Sequence, residues 1–398
     1  MNLAPWGEDA HRAGEGLNVV KYMKIQLNNI LPIGKACLCF SLAMMAASVT
    51  AQNVSTIKQA GNIIPATDGN IQYVGRVSFR NPQSPSFTFP GIQIRAAFTG
   101  TSLKMIAKPK SGYFMVRIDG SKAFKVGFNA ERDSVVSLAA ALPEGRHEVN
   151  AMYVTEGYER IGEFRGFILD ENAKMLEAPA MPERKIEFIG NSITCGYGVE
   201  DTDRADHFQD ETCNHYYTYA NLTAQALGAI HQVVARSGIG VYRCYDGPVT
   251  GDSINMNTEY THTLLYDKTE NWDFSRYTPQ LVCINLGTND TSTKGADPKL
   301  LKQGYVNLVK QVRDHYPKAK IVLLSGSMMG DDALILAKKT MDEVMNEAHK
   351  KGDKEIYRFD MSFQTGDLGY CADWHPSVAQ HQKMASELIP FLKKLMNW

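Results

Sequence analysis

Short apolar runs, alternating or rich in aromatic residues, dominate the chain from residue 52 to residue 170. They include IQYVGRVSF, SFTFPGIQIRAAF, YFMVRIDG and HEVNAMYV, and Gly, Pro, Asn or Asp separates most of them. Alternation with a period of two places every second side chain on one face of a strand. Because no helical spacing of useful length occurs in this part, the pattern predicts a β-sandwich over 52–170.

The pattern changes at residue 185, after a segment with two prolines, residues 171–184, which we interpret as a linker. Five short apolar runs follow, KIEFIG, HQVVAR, QLVCINL, KIVLLSG and EIYRFDM, and segments with apolar residues at helical spacing lie between them. This alternation predicts an α/β fold over 185–398, a parallel sheet with helices on both faces. In such sheets the functional residues gather at the carboxyl ends of the strands.

Residues 1–51 are interpreted as a leader. The apolar run at 36–49 follows basic residues and precedes a small-x-Ala pattern that ends at Ala51. This order is typical of a signal peptide and predicts a mature chain that begins at Gln52 and is exported, either to the periplasm or outside the cell. Met23, followed by a lysine, fits the true start. The alternative is an N-terminal anchor helix that stays attached.

The charge balance and the length of the apolar runs argue against two classes of protein, nucleic-acid binders and membrane-spanning proteins. Lys+Arg is 42 and Asp+Glu is 43, so the net charge is -1, and no basic run occurs. This balance argues against a nucleic-acid partner, which requires an excess of cations on one face. No apolar stretch reaches the roughly 18 residues of a membrane span, so no span is predicted in the mature chain. The sequence does not specify an oligomeric state.

The cysteines show no metal-ligand spacing, and no metal or cofactor is predicted. Cys283 lies in the apolar run QLVCINL, which predicts a buried thiol. An exported chain permits one disulfide among Cys195, Cys213, Cys244 and Cys371, but the sequence does not assign it.

Two predicted strand ends carry residues suited to acyl transfer. Ser192 comes two residues after KIEFIG, where its hydroxyl would be exposed at the sheet edge, although Ser is also common as a helix N-cap. Gly238 follows HQVVAR closely, where a glycine lets its backbone N–H approach a ligand, although a plain tight turn gives the same sequence.

Two further positions, Asn289 and His375, also carry residues suited to acyl transfer. Asn289 follows QLVCINL, and its amide can donate to a developing oxyanion, although capping of the next segment is an equal alternative. His375 lies in Asp-Trp-His-Pro before the last predicted helix, where it can accept the proton of Ser192 and return it to a leaving group. The chain has ten histidines, so an ordinary surface residue is the alternative. The joint order Ser, Gly, Asn, His favours a serine hydrolase.

This order resembles the four sequence blocks of the SGNH (GDSL-like) hydrolases, carried here by GNSIT, GTND and DWHP. The resemblance implies a flavodoxin-like parallel sheet, with Ser192 as nucleophile and His375 as base. It further implies an oxyanion hole built from the backbone N–H groups of Ser192 and Gly238 and from the side chain of Asn289. No cofactor or metal is implied.

The β-rich segment ahead of these blocks resembles the N-terminal part of carbohydrate esterase family two, the acetylxylan esterase-like group, in YVGRV, FTFPGIQIRAAFTGTSL and GFILD. GNSITCGYG and CADWHPS resemble the family's catalytic signatures. The resemblance implies a small jelly-roll-type sandwich in front of the hydrolase domain. It also implies removal of O-acetyl groups from plant polysaccharides such as xylan or glucomannan, with a preference for primary 6-O positions.

One position departs from the SGNH pattern. The usual Asp three residues before the histidine is replaced by Ala372, and the nearest carboxylate is Asp373, two residues before His375. We predict that Asp373 orients the imidazole through Nδ1. A backbone carbonyl that performs this task in a Ser–His dyad is the alternative.

An acetylated polysaccharide or oligosaccharide needs a cleft with aromatic platforms. Trp374 is the first candidate to line it, with a ring packed under the loop as the alternative, and Tyr197 and Tyr242 are further candidates. The acidic run 201–210 is interpreted as a solvated loop. Two other functions stay open: an SGNH lipase or thioesterase that acts on longer acyl esters, and a non-catalytic carbohydrate-binding protein.

Overall fold

Alternating strands build the first part of the chain. The computed structural model describes residues 61–131, 134–157 and 160–398, so the predicted leader lies outside the described residues. Its strands up to residue 176 are β1 (Asn62–Pro65), β2 (Gln72–Val74), β3 (Ser86–Phe87), β4 (Gln93–Thr99), β5 (Leu103–Ala107), β6 (Tyr113–Ile118), β7 (Phe124–Gly127), β8 (Val135–Ala139), β9 (Arg146–Tyr153), β10 (Gly162–Leu169) and β11 (Met175–Leu176).

These strands form two antiparallel sheets. One has the order β1-β10-β5-β8 with β3 also paired to β10, and the other has the order β11-β4-β9-β6-β7 with β2 also paired to β4. Side chains from both sheets, among them Phe98, Met105, Phe114 and Phe167, are fully buried in one shared core. The predicted sandwich is therefore confirmed, because the alternating residues of each sheet face those of the other.

The segment interpreted as a linker, 171–184, is not free of secondary structure. Met175 and Leu176 form β11, which pairs with Phe98 and Ala97 of β4. Met175 also packs against the sandwich core. A strand of two residues is too short to produce a periodic pattern, so the sequence contains no signal for it.

The second part of the chain contains the predicted parallel sheet, in the order β13-β12-β14-β15-β16. Its strands are β12 (Lys185–Gly190), β13 (Ile230–Ala235), β14 (Leu281–Asn285), β15 (Lys320–Ser325) and β16 (Ile356–Asp360). All are parallel to their neighbours. β13 lies on one side of β12 and β14 on the other, so the strand order reverses at β12. Such a reversal opens a crevice at the carboxyl end of the sheet, where α/β proteins bind ligands.

Helices cover both faces of this sheet, as predicted. They are α1 (Ser192–Cys195), α2 (Tyr219–Ala226), α3 (Met256–Glu259), α4 (Pro298–His315), α5 (Asp331–Lys350) and α6 (Val378–Met396). Apolar residues of α4 and α5 pack on one face, and those of α2 and α6 pack on the other. α4 begins where the sequence indicates, because the Asp297 side chain accepts hydrogen bonds from two backbone N–H groups of its first turn.

A buried arginine joins the two parts. Arg76 is fully buried and donates to the carbonyl oxygens of Tyr260 and His262. Its guanidinium lies 3.8 Å from the carboxylate of Glu187 on β12, and that carboxylate also accepts from the Tyr260 hydroxyl at 2.8 Å. A buried charge is tolerated only with such partners, so this contact ties the sandwich to the parallel sheet.

The cysteine predictions have two outcomes. Cys283 is fully buried, as predicted. The disulfide permitted among Cys195, Cys213, Cys244 and Cys371 is wrong, because all four are free thiols in the structure. Among the described residues, no helix has both the length and the apolar character needed to cross a membrane.

Candidate active site

Ser192 lies at the point where the strand order reverses. β12 ends at Gly190, and the side chain of Asn191 accepts the backbone N–H of Ile193 at 3.1 Å. Asn191 is thus the N-cap of α1, and the hydroxyl of Ser192 is not used for capping. α1 ends after one turn at Gly196, whose φ of +83° favours glycine. The local sequence therefore presents the Ser192 hydroxyl to the crevice.

The structure brings His375 to this serine. Its Nε2 lies 2.9 Å from the Oγ of Ser192, and its Nδ1 lies 3.1 Å from the carbonyl oxygen of Ala372. A carbonyl oxygen can only accept, so Nδ1 carries the hydrogen and Nε2 is left to accept the serine proton. This is the geometry that a nucleophile and its general base require.

The surroundings of His375 keep its imidazole neutral. Burial lowers the pKa of His375 to about 4, although the contact with the Ala372 carbonyl opposes the shift. The ring of Tyr197 stacks on the imidazole with a centroid distance of 4.1 Å and an interplanar angle of 17°. Tyr197 was predicted to line the cleft, and in the structure its ring packs against the imidazole of His375. At neutral pH the imidazole is ready to accept a proton.

Asp373 was predicted to contact Nδ1 of His375, but its carboxylate has other partners in the structure. Its carboxylate accepts from the Tyr197 hydroxyl at 2.5 Å and contacts Nδ1 of His207 at 2.8 Å. The physical reason is the backbone of Asp373, which is left-handed, with φ +49° and ψ +40°. With this backbone conformation, the Asp373 carboxylate points at Tyr197 and His207, and the Ala372 carbonyl faces the imidazole of His375. The geometry therefore favours the alternative, a Ser–His dyad oriented by a backbone carbonyl.

The acidic run 201–210 contacts Asp373 and Tyr197 beside His375. Its interpretation as a solvated loop did not predict these contacts. The carbonyl of Asp206 accepts the backbone N–H of Asp373 at 2.9 Å. The ring of Phe208 packs against Tyr197 at a centroid distance of 4.9 Å. His207 holds Asp373, and the carboxylate in turn raises the pKa of His207. One histidine and one phenylalanine among polar residues gave no sequence signal for this role.

Gly238 lies where β13 leads into a tight loop. Its φ of +76° is left-handed, which glycine adopts without strain. Within the described residues, the backbone N–H groups of Gly238 and Ser192 donate to no other protein group. Both N–H groups thus remain available for an oxygen atom of a substrate.

Asn289 holds the same loop from the next strand. One hydrogen of its Nδ2 is donated to the carbonyl of Ile239 at 2.8 Å, and the side chain is 6% exposed. The neighbouring Asp290 is fully buried and accepts the backbone N–H groups of 241–243. Asn289 caps no helix, since α4 is capped by Asp297. Its second Nδ2 hydrogen is available to a ligand.

The two remaining aromatic candidates, Trp374 and Tyr242, lie in different environments. Trp374 is 40% exposed, and the guanidinium of Arg204 lies over its ring at 4.1 Å. Tyr242 instead packs in the core beside the parallel sheet, and its hydroxyl accepts the backbone N–H of Asp297 at 3.0 Å. The prediction that Tyr242 lines the cleft is not supported, because the Asp290 carboxylate draws the backbone of Tyr242 inward.

Family models match both parts of the chain. The model described as carbohydrate esterase 2 N-terminal matches residues 73–179. The model of the GDSL-like lipase/acylhydrolase family matches residues 188–383. The two matches correspond to the antiparallel sheets and to the parallel sheet with its helices.

Several named proteins and solved structures are similar to this chain. Cellulase/esterase CelE of Acetivibrio thermocellus is 38% identical over 332 residues, which are 82% of this chain but 40% of CelE, so the chain spans less than half of that protein. An acetylxylan esterase/glucomannan deacetylase of Cellvibrio japonicus is 28% identical over 87% of this chain and 94% of its own length. The structure of a family two carbohydrate esterase from Clostridium thermocellum in complex with cellohexaose has a TM-score of 0.77 and 37% identity, covering 82% of this chain and 99% of that one.

Proposed function

This chain belongs to carbohydrate esterase family two, and on that premise we propose that it is a serine esterase that removes O-acetyl groups from plant cell-wall polysaccharides. The observation that carries the proposal is the pairing of Ser192 Oγ with His375 Nε2 at 2.9 Å, at the carboxyl edge of the parallel sheet. A neutral imidazole at this distance can activate the hydroxyl for attack on an ester carbonyl.

The proposed reaction proceeds through an acyl-enzyme. His375 takes the proton of Ser192 as its oxygen attacks the acetyl carbonyl, and the imidazolium then protonates the departing sugar hydroxyl. Water, deprotonated by the same imidazole, attacks the acetyl-serine, and the imidazolium returns the proton to the Ser192 oxygen as acetate is released. The carbonyl of Ala372 accepts from Nδ1–H throughout, so the imidazole keeps its orientation in both half-reactions.

We propose that three groups stabilise the oxyanion. They are the backbone N–H groups of Ser192 and Gly238 and the Nδ2 of Asn289. The availability of both N–H groups, and the contact of Asn289 with Ile239 in the Gly238 loop, support this assignment. Donors that are already fixed before the reaction cost no reorganisation when the charge develops.

The proposed substrates are acetylated xylan and acetylated glucomannan, with 6-O positions as the proposed preference. The Cellvibrio relative is named an acetylxylan esterase and glucomannan deacetylase, which supports the substrate class. The exposed ring of Trp374, next to His375 in the sequence, is the proposed platform for a sugar ring. Tyr197 is assigned to the support of His375 rather than to the sugar.

We also propose a domain division and an export route. The sandwich domain would span 52–176 and the hydrolase domain 185–398, a boundary that the position of β11 supports. Residues 1–51 are proposed as a leader that is removed before Gln52. N-terminal sequencing of the exported protein tests this, and a mature protein that retains residues 36–49 would contradict it.

Acetate release tests the function. The chain and its Ser192→Ala variant are incubated with acetylated xylan, acetylated glucomannan and a long-chain acyl ester. We expect acetate from the polysaccharides, little turnover of the long ester, and no turnover by the variant. Preference for the long ester would move the chain to the lipase-like alternative. No turnover of any substrate, together with binding to the polysaccharides, would favour a carbohydrate-binding protein.

A further inference from the structure

The sandwich places one carboxylate beside the loop that carries Gly238. Glu156 follows β9 and is 1% exposed, and its Oε2 accepts the backbone N–H of Ser237 at 2.6 Å. We propose that Glu156 is a positioning residue that fixes the Gly238 N–H of the oxyanion hole from the sandwich side. This inference rests on the proposed esterase function.

The Gly238 loop is held at points on either side of its N–H. Before it, the N–H of Ser237 is bound by Glu156. After it, the carbonyl of Gly238 accepts the backbone N–H of Tyr245 at 2.8 Å, and Asn289 holds the carbonyl of Ile239. A loop whose glycine has a left-handed φ has wide conformational freedom, so the direction of its N–H depends on these anchors. Of these anchors, only Glu156 comes from the sandwich.

The carboxylate of Glu156 also lies close to the nucleophile's helix. Cys195, the last residue of α1, and the charge of Arg236 both influence it electrostatically. Burial raises the pKa of Glu156, while the hydrogen bonds and Arg236 oppose that shift. Because this carboxylate binds the residue before Gly238 and lies close to α1, it can help to hold the distance between the nucleophile and an oxyanion donor.

The backbone around Glu156 is itself fixed. The carbonyl of Val154 accepts the backbone N–H of His215 at 3.1 Å, and the N–H of Gly157 donates to the carbonyl of Thr88 at 2.7 Å. Glu156 therefore extends from a rigid segment. Moving its carboxylate by one methylene breaks the contact with Ser237, since the backbone cannot follow.

The test compares three substitutions of Glu156, with 4-nitrophenyl acetate as substrate. Glu156→Ala removes the acceptor, Glu156→Asp keeps the charge but withdraws it, and Glu156→Gln keeps the length and one acceptor oxygen. We expect Ala and Asp to lower kcat roughly 10- to 100-fold with KM within about twofold, because loss of an oxyanion donor affects the transition state. Gln should stay within about fivefold of the unmodified chain.

Glu270→Ala is the matched control. Glu270 is a carboxylate at another contact between the two parts, where it accepts from Ser78 at 2.6 Å and pairs with Arg80 at 3.2 Å. It touches none of the proposed catalytic groups, so its loss should lower the melting temperature without a selective fall in kcat. An equal fall in kcat in Glu270→Ala would reduce Glu156 to a structural contact and overturn the proposal.

Other outcomes are equally decisive. A folded Glu156→Ala variant with kcat within threefold of the unmodified chain overturns the proposal. If Glu156→Ala fails to fold, the activities of Glu156→Asp and Glu156→Gln are compared instead. Higher activity in Glu156→Asp would overturn the proposal, because it would show that the charge of the side chain matters and its length does not. Failure of the unmodified chain to hydrolyse any acetyl ester would instead refute the esterase function.

Discussion

Replacement of Asp373 by alanine distinguishes a carboxylate-oriented triad from a dyad oriented by a carbonyl. In the structure the Nδ1 of His375 donates to Ala372, while Asp373 accepts from the hydroxyl of Tyr197. Asp373→Ala thus leaves the partner of Nδ1 in place and removes one charge-assisted hydrogen bond behind the stacked tyrosine. Such a bond contributes about 1.5 kcal/mol or somewhat more, so kcat should fall roughly tenfold.

A triad predicts a far larger effect. Loss of a carboxylate that directly orients a catalytic histidine costs on the order of 10⁴ in kcat. The assay is kcat and KM for 4-nitrophenyl acetate, with melting temperature measured in parallel. A fall of 10³ or more in folded Asp373→Ala would refute the dyad and show that Asp373 reaches His375 directly. Asp203→Ala is the matched control and should stay within about twofold, because Asp203 lies in the acidic run 201–210 and accepts the backbone N–H of Ala205.

The partner of Asp373 provides an independent check of the same reasoning. Tyr197→Phe keeps the ring that stacks on His375 and removes only the hydroxyl. Its effect on kcat should not exceed that of Asp373→Ala, which also loses the contact with His207, and the double variant should lose no more than Asp373→Ala alone, because the hydrogen bond between Tyr197 and Asp373 is removed in both. Multiplicative losses in the double variant would show that Asp373 acts on the base by another route.

Four further outcomes follow from the site. Ser192→Ala should lower turnover on the order of 10³-fold or more without a loss of fold by circular dichroism, and retained activity would refute the nucleophile. Asn289→Ala should cost about 10²- to 10³-fold in kcat, whereas a loss below tenfold would assign Asn289 to holding Ile239 alone. Since the pKa of His375 is lowered to about 4, kcat/KM should rise with pH through about 4 and stay level above it, and a midpoint near 6.5 would contradict the shift. Burial also lowers the pKa of His215 to about 4, so the contribution of His215 to the unfolding free energy should fall by at most about 3 kcal/mol as pH drops from about 6.5 to 4, and in urea titrations His215→Asn should reduce the pH slope of the unfolding free energy by that share.

The fold was predictable where burial imposes a period on the sequence. β13 is buried at all six positions, and β14 at all five, because helices cover both faces of the parallel sheet. That burial produces the continuous apolar runs in the sequence. β9 instead alternates buried and exposed positions over its first half, as expected for one face of a sandwich. Elements as short as β11 leave no such trace.

The site was predictable in its residue types but not in its backbone directions. The motifs placed Ser192, Gly238 and Asn289 after strand ends and His375 before the last helix, and the geometry brings Ser192 and His375 together. The sequence could not indicate that Asp373 is left-handed, because Asp adopts both hands at modest cost. Two successive left-handed residues, Asp373 and Trp374, accompany the arrangement in which the Ala372 carbonyl faces the imidazole. Contacts made by irregular loops depend on tertiary packing, which residue type alone does not specify.

Buried polar contacts join the two parts of the chain. Arg76 extends from the sandwich into the hydrolase part, where Glu187 is fully buried and has Arg76 as its cationic partner among the described residues. Glu156 extends in the same direction to the Gly238 loop. A buried charge without its partner costs several kcal/mol, so separation of the parts would leave unpaired charges on both sides. The nucleophile and base come from the hydrolase part, but the charges that fix β12 and the Gly238 loop come from the sandwich. In the proposed esterase, the active-site geometry would therefore be set partly by the sandwich, which contributes neither nucleophile nor base.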